Sequence, residues 1–300
     1  WVLHFLMQLV IPFFTNSAIR PEESLHVLMQ NGWLQVALTS VHLLICMVIV
    51  GQDVEQGLEK WVGYMMPAFA ILLLGLAYKS INLESSGEAL RFLLYPDFSK
   101  LTLSSLGQAI GHTFFTLSVG LGTMITFGSY MSEKTYVPTA GFRVANMDSI
   151  ISIFAGVLIF PLMLMMTTKT VSGPDLMFQT VPLLFSRIPG GHLFGIGFFL
   201  CLYLAALAAS IGLLESIVNN YRRRFNKSRL VSTIHMAFLC FLLALVPALS
   251  SSVLGQVKVG ERGVLEILDS VLINWVLPIV ALAISLLVFR AMDLQRSEEH

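Results

Sequence analysis

Long apolar blocks run through this chain, and no other feature limits its fold as tightly. They lie at about 34–50, 61–78, 107–131, 149–168, 193–216, 231–249 and 271–289. A helix needs roughly 17–25 such residues to cross the hydrocarbon core of a bilayer. The blocks are apolar throughout rather than striped, so no single face is reserved for a protein interior. In lipid the backbone finds no water, and a spanning segment must satisfy itself as a helix. Charged residues make up only 12% of the chain, against about 25% in soluble domains. The expectation is an all-α integral membrane protein of about seven full transmembrane helices. Residues 1–14, WVLHFLMQLVIPFF, read as the end of one more. The chain opens on Trp1 with no signal-peptide pattern, which reads as an N-terminally truncated fragment. No polar stretch is long enough for a soluble domain, so 1–300 reads as a single transmembrane domain.

Formal net charge is zero, which excludes a global field for nucleic acid. Charge is concentrated locally. YRRRFNKSR at 221–229 holds five basic residues and no acid, so the positive-inside rule makes this loop cytoplasmic. Alternation then places 51–60, 132–147 and 290–300 inside, and 15–33, 79–106, 169–192 and 250–270 outside. Cys46, Cys201 and Cys240 all sit in apolar blocks and read as buried small hydrophobes.

Three segments break the helical pattern. Gly57 and Pro67 bracket LEKWVGYMM; both weaken a helix, so they are either a hinge at its inner end or a loop glycine with a tolerated kink. Residues 84–106 contain an amphipathic piece, EALRFLLYPDF. Residues 173–192 carry Pro174, Pro182 and Pro189, which bars a single spanning helix. That segment is either a lid on the outer face or a surface hairpin.

Polar residues inside spans are costly and tend to be functional. The stretch GHTFFTLSVGLGTM (111–124) places Thr116 and Ser118 before Gly120 and Gly122. Each glycine weakens a helix by about 1 kcal/mol relative to alanine. The residues favour either a break near 118–122, whose exposed backbone would line a cavity, or small-residue helix packing. Asp148 precedes an apolar run and is either an N-cap or a cation ligand. Asp269 is equally an N-cap or an outer-gate acid. Glu215, next to the basic loop, reads as a paired or snorkelling acid. His112 reads as a core histidine. The seven histidines are scattered, none at zinc-ligand spacing, and no nucleotide loop or nucleophile–base pair occurs. An enzyme is therefore not expected.

GHTFFTLSVGLGTMITFGSYM (111–131) resembles the sixth transmembrane helix of the neurotransmitter:sodium symporter family. GLEKWVGYMMP (57–67) is similar to that family's fifth helix, with its glycine and proline. LLYPDFSKL (93–101) and GPDLMFQTVPLLF (173–185) resemble its outer loops, and FFLCLYLAALAASIGLLES (198–216) its eighth helix. The resemblance runs from late helix three to helix ten. It implies the inverted five-plus-five repeat, in which helices one and six are broken at mid-membrane. It further implies sodium-coupled symport of an amino acid or related small amine across the cell membrane by alternating access.

Carried over by matching position, Phe115 is the aromatic gate over the substrate. Thr116, Ser118, Gly120, Leu121 and, as an apolar wall, Leu213 join it in lining the pocket. Thr116 and Asp148 hold a first sodium. Asp269 is the outer gate, and Gly57, Pro67, Gly120 and Gly122 are hinges. The resemblance departs at two places. His112 stands where the family has glutamine. The eighth helix, which commonly carries Thr and Ser for a second sodium, has Ala208 and Ala209 instead; only the Ala205 carbonyl remains. Hard cations need oxygen ligands, so one sodium site is expected and the second weak or absent. The competing readings are a family member that binds ligand without sodium coupling, through protons or as a sensor, and an ion channel. The expected partners are an amino-acid-like solute and the lipid bilayer, not nucleic acid; substrate and oligomeric state are not legible.

Overall fold

A computed structural model describes residues 1–15, 21–52, 54–95, 97–132, 134–165, 177–178, 181–185, 189–255, 257–259 and 262–298. Its order is α1 (Val2–Thr15), α2 (Pro21–Gln30), α3 (Gly32–Val50), α4 (Lys60–Ile81), α5 (Ser86–Leu94), α6 (Leu103–Thr116) and α7 (Thr123–Gly128). Then follow α8 (Val137–Leu164), α9 (Val181–Phe185), α10 (Gly191–Phe225), α11 (Arg229–Leu249), α12 (Val264–Val271) and α13 (Leu277–Glu298). One π turn, Leu272–Val276, joins α12 to α13 without a break in the chain's course. A two-residue antiparallel hairpin, Lys258–Val259 with Arg262–Gly263, precedes α12.

Among the described residues, six stretches are long and apolar enough to cross a membrane: 32–50, 57–81, 137–164, 191–225, 229–249 and 264–290. The seventh apolar block, 107–131, is interrupted and forms the two short helices α6 and α7. The seven expected spans are thus six continuous helices and one broken one. Their outer surface is hydrocarbon: Leu103 is 87% exposed and Leu287 67%. Apolar exposure on this scale suits lipid rather than water.

α10 is the central helix. Its 35 residues extend about 52 Å at 1.5 Å each, more than the ~30 Å hydrocarbon core requires. Its last turns, with Arg222, Arg223 and Arg224, therefore continue past the apolar span. One end of α10 packs in an aromatic core, where Phe198 and Phe199 meet Phe5 of α1 and Phe185 of α9. Glycine makes that fit possible. A Cβ at Gly191 would lie 1.7 Å from the Phe185 carbonyl oxygen, and one at Gly195 2.7 Å from the Phe185 ring. The other end packs Leu207, Ile211, Leu214 and Val218 against Cys46, Ile49 and Val50 of α3. Within the 173–192 segment, 173–176, 179–180 and 186–188 lie outside the described residues; its described centre is α9, with Val181 and Phe185 buried.

Two helix starts differ from the hydropathy reading. α8 begins at Val137, with Pro138 in its first turn, where a missing N–H costs nothing. Asp148 is therefore well inside α8 and is not an N-cap. α12 begins at Val264, and the Glu266 carboxylate accepts from the Gly263 N–H at 3.2 Å. Glu266 caps that helix, and Asp269 lies exposed in its last turn.

Candidate functional site

The interruption at 117–122 is built by backbone bonds. Val119 N–H donates to the Phe114 carbonyl at 2.8 Å, and Ser118 N–H to that of Phe115 at 3.0 Å. These six-to-one and five-to-two bonds are the Schellman termination of α6. The residue that turns left-handed to permit it is Ser118, φ +55°, rather than a glycine. Gly120 (φ +88°) and Gly122 (φ +76°) then redirect the chain into α7. Gly120 has no room for a side chain: a Cβ would sit 2.8 Å from the Leu277 carbonyl of α13. Gly120→Ala is expected to lower stability by about 2–4 kcal/mol, combining left-handed strain with overpacking. The readout is a lower thermal midpoint in detergent; an unchanged midpoint would show that the break relaxes without cost.

The break opens onto a cavity of about 450 Å³, within the ~300–1,000 Å³ usual for small-molecule sites. From the broken helix come Phe115, Thr116, Ser118 and Leu121; from α10 come Ala208, Ala209 and Leu213. Seven residues named from the sequence are thus brought to one place. Gly120 is not in the lining but behind it, against α13. Asp148, Ala205, Asp269, Gly57, Gly122, Pro67 and His112 are also absent from it. Phe115 is 46% exposed at the cavity wall. Gly57 is wound into a π turn, Glu55–Glu59, and its missing Cβ would meet the Ile49 carbonyl of α3 at 2.3 Å. It is a close-packing glycine at the crossing of two helices.

The lining also includes residues that the sequence reading passed over: Leu58 and Val62 on the α4 side, Thr123 and Phe127 on α7, and Gly212 on α10. A helical spacing was available as a signal. Leu58 and Val62, like Thr123 and Phe127, stand four apart and share a face. Gly212 continues the small face of Ala208 and Ala209, and the Phe127 ring lies 3.5 Å from where its Cβ would be.

Electrostatics single out Asp148. The Thr116 hydroxyl directs one proton at two acceptors, the Thr113 carbonyl at 3.2 Å and Asp148 Oδ2 at 3.3 Å. Both distances exceed the ~2.7–2.8 Å typical of O–H···O bonds; the Thr113 carbonyl also accepts from the Leu117 N–H at 3.0 Å, so Asp148 is the acceptor left weakly bonded. Among the described residues Asp148 has no ion-pair partner. A carboxylate inside a spanning helix without a cation is expensive. Glu215 is the opposite case. It is 0% exposed, pairs with Arg229 at 2.6 Å and accepts from Tyr130 Oη at 2.6 Å. Arg229 Nη1 also reaches Glu215 Oε1 at 3.1 Å, and its Nε donates to the carbonyls of Val50 and Gln52. Glu215 is a paired acid, not a snorkelling one.

This architecture matches known proteins. The model of the sodium:neurotransmitter symporter family matches residues 6–296. The chain belongs to that family. A symporter-family crystal structure, MhsT in complex with L-phenylalanine, superposes with a TM-score of 0.83 at 31% identity, covering 94% of this chain and 64% of that one. An uncharacterised sodium-dependent transporter of Bacillus subtilis is 31% identical over 271 residues, 90% of this chain and 60% of its own length. The sodium- and chloride-dependent creatine transporter 1 of Bos taurus is 27% identical over 79% of this chain and 39% of its own. The chain spans 60% or less of the length of these two relatives. These relatives are named as transporters, not enzymes. Family membership and six membrane-capable helices make this symporter-family chain a multi-pass membrane protein.

Proposed function

We propose that these 300 residues act as one transmembrane domain of a sodium-coupled symporter for an amino acid or related small amine. Asp148 carries the reading: a carboxylate in a spanning helix with no cationic partner described, weakly bonded to Thr116 across the wall of a cavity. Sodium is the counter-charge that such a pair accepts, since a hard cation takes carboxylate and hydroxyl oxygens. Solute binds beside it at the broken helix, with Phe115 as outer gate. Movement of the α6–α7 break against α10, and of the α4 start at Gly57, alternates access between the two sides. Loop 221–229 faces the cytoplasm under the positive-inside rule; Arg229 is drawn inward to Glu215, leaving Arg222, Arg223, Arg224 and Lys227 for the surface.

The second sodium is weak or absent. Ala208 and Ala209 present methyls where a cation would need oxygens. Uptake into proteoliposomes is therefore expected to rise with sodium along a single-site curve. Introducing Ala208→Thr and Ala209→Ser together is expected to steepen that curve and lower the half-saturating sodium concentration about tenfold, about 1.4 kcal/mol. Steep two-ion cooperativity in the unmodified chain would sink the one-sodium reading. Ligand binding indifferent to sodium would instead favour the proton-coupled or sensor alternative.

A further inference from the structure

We infer that the Thr123 hydroxyl is a substrate-recognition group. The solute then carries an uncharged hydrogen-bonding atom at the far end of a largely apolar side chain. This rests on the reading that the cavity holds the solute. Thr123 opens α7 and is 5% exposed, and its Oγ1 is fully buried without a hydrogen-bond partner among the described residues. It lines the cavity.

The orphan hydroxyl is a product of the broken helix. A threonine inside a helix ordinarily bonds back to the carbonyl four residues earlier. Thr113 does so to Ala109 at 2.8 Å, and Thr126 to Gly122 at 3.3 Å. For Thr123 that carbonyl belongs to Val119, which lies in the non-helical turn and is not aligned with α7. Buried hydroxyls are rarely left unpaired, and valine would fill the same space without a polar atom. A solute in the cavity that Thr123 lines would supply that partner once the hydroxyl turns to it.

The walls define that partner. No charged side chain lines the cavity among the described residues, so an ion at Thr123 would be buried without compensation. The charged end of an amino acid belongs at Thr116, where Asp148 lies close by. Thr123 stands on the other side of the break with Val62 and Phe127. Gly212 leaves space beside the Phe127 ring for an apolar side chain to reach it. A bridging water needs two to four polar partners, which these neighbours do not supply.

The test is binding of radiolabelled solutes to the full chain in lipid nanodiscs at saturating sodium. The probes are two pairs differing by a terminal hydroxyl: L-tyrosine with L-phenylalanine, and 5-hydroxy-L-norvaline with L-norvaline. The hydroxyl-bearing member of at least one pair is expected to bind about tenfold or more tighter, the effect of a buried hydroxyl left unpaired. Thr123→Val is expected to collapse that ratio towards one, and Thr123→Ser to keep it. Equal binding within both pairs, preference for the hydrocarbon member, an unaltered ratio in Thr123→Val, or binding of neither pair overturns the inference. Gly212→Phe, with Leu121→Trp as a second blocker, separates the two levels. If both variants fold, by circular dichroism and gel filtration, and still bind every solute, the cavity is not the solute site. If they abolish binding while Thr123→Val leaves the ratio intact, only the role of Thr123 fails.

Discussion

Asp148→Asn is expected to raise the sodium concentration for half-maximal uptake about a hundredfold. The substitution keeps the size of the side chain and its bond with Thr116 but removes the charge. Two unit charges about 4 Å apart at an effective dielectric constant near 20 attract by about 4 kcal/mol, about a thousandfold in affinity. Residual hydration of the ion offsets part of that. Folding should be spared, because the weak 3.3 Å contact is the carboxylate's only described bond. Thr116→Val removes one neutral oxygen, and a smaller rise of about tenfold is expected. If both groups serve one ion, the double variant falls short of the product of the two effects, since residues sharing a partner are non-additive. Sodium titrations of uptake for the four proteins decide this. An unchanged sodium curve in Asp148→Asn would remove the ion from this place and leave Asp148 as a structural acid.

Asp148 also shows where sequence reading reaches its limit. Hydropathy places the start of its helix near 149, because Arg143, Asn146 and Asp148 dilute the apolar run. The helix in fact begins at Val137. Asp148 is turned to the broken span, where it meets Thr116, and window averages cannot separate two sides of one helix. The break was legible in kind, since hydroxyls and glycines are clustered there. Its construction was not: the glycines draw attention, yet Ser118 makes the left-handed turn. Propensity disfavours serine in that conformation, and tertiary packing overrides propensity. The extra wall residues Leu58, Val62, Thr123 and Phe127 look like ordinary span residues. Only the crossing of α4, α7 and α10 assigns them a common cavity. Glu215 was legible as an acid needing a partner, but the partner, Arg229, sat within a run read only as a topology signal.

That pairing sets the second large effect. Arg229→Gln is expected to destabilise the protein by about 3–5 kcal/mol, the usual result of leaving a buried charge without its partner. Three losses coincide. Glu215, wholly buried, loses its counter-ion. Val50, the last residue of α3, loses a donor to its carbonyl, at the helix end where a cation is favoured. Gln52 loses the same donor just beyond it. Tyr130 is left as the sole described donor to Glu215, and one phenol does not compensate a buried anion. Glu215→Gln in the same chain should recover most of the loss, because a neutral amide can still accept from Tyr130 without a cation. Tyr130→Phe alone should cost less, about 1.5–3 kcal/mol, as a hydrogen bond to a charged group. Thermal unfolding of the detergent-solubilised variants ranks them. If the double variant is no more stable than Arg229→Gln, the penalty lies in the freed carbonyls of α3 rather than in the stranded charge. Either ranking has the same structural consequence, since Tyr130 follows α7 directly. The segment that carries Thr123 and Phe127 into the cavity is anchored to α10 and α11 through this carboxylate, with Arg223 Nη2 donating to Ser129 Oγ at 3.5 Å as a second link to α10. Loosening it should therefore weaken solute binding in proportion to the stability lost, without a change in sodium cooperativity.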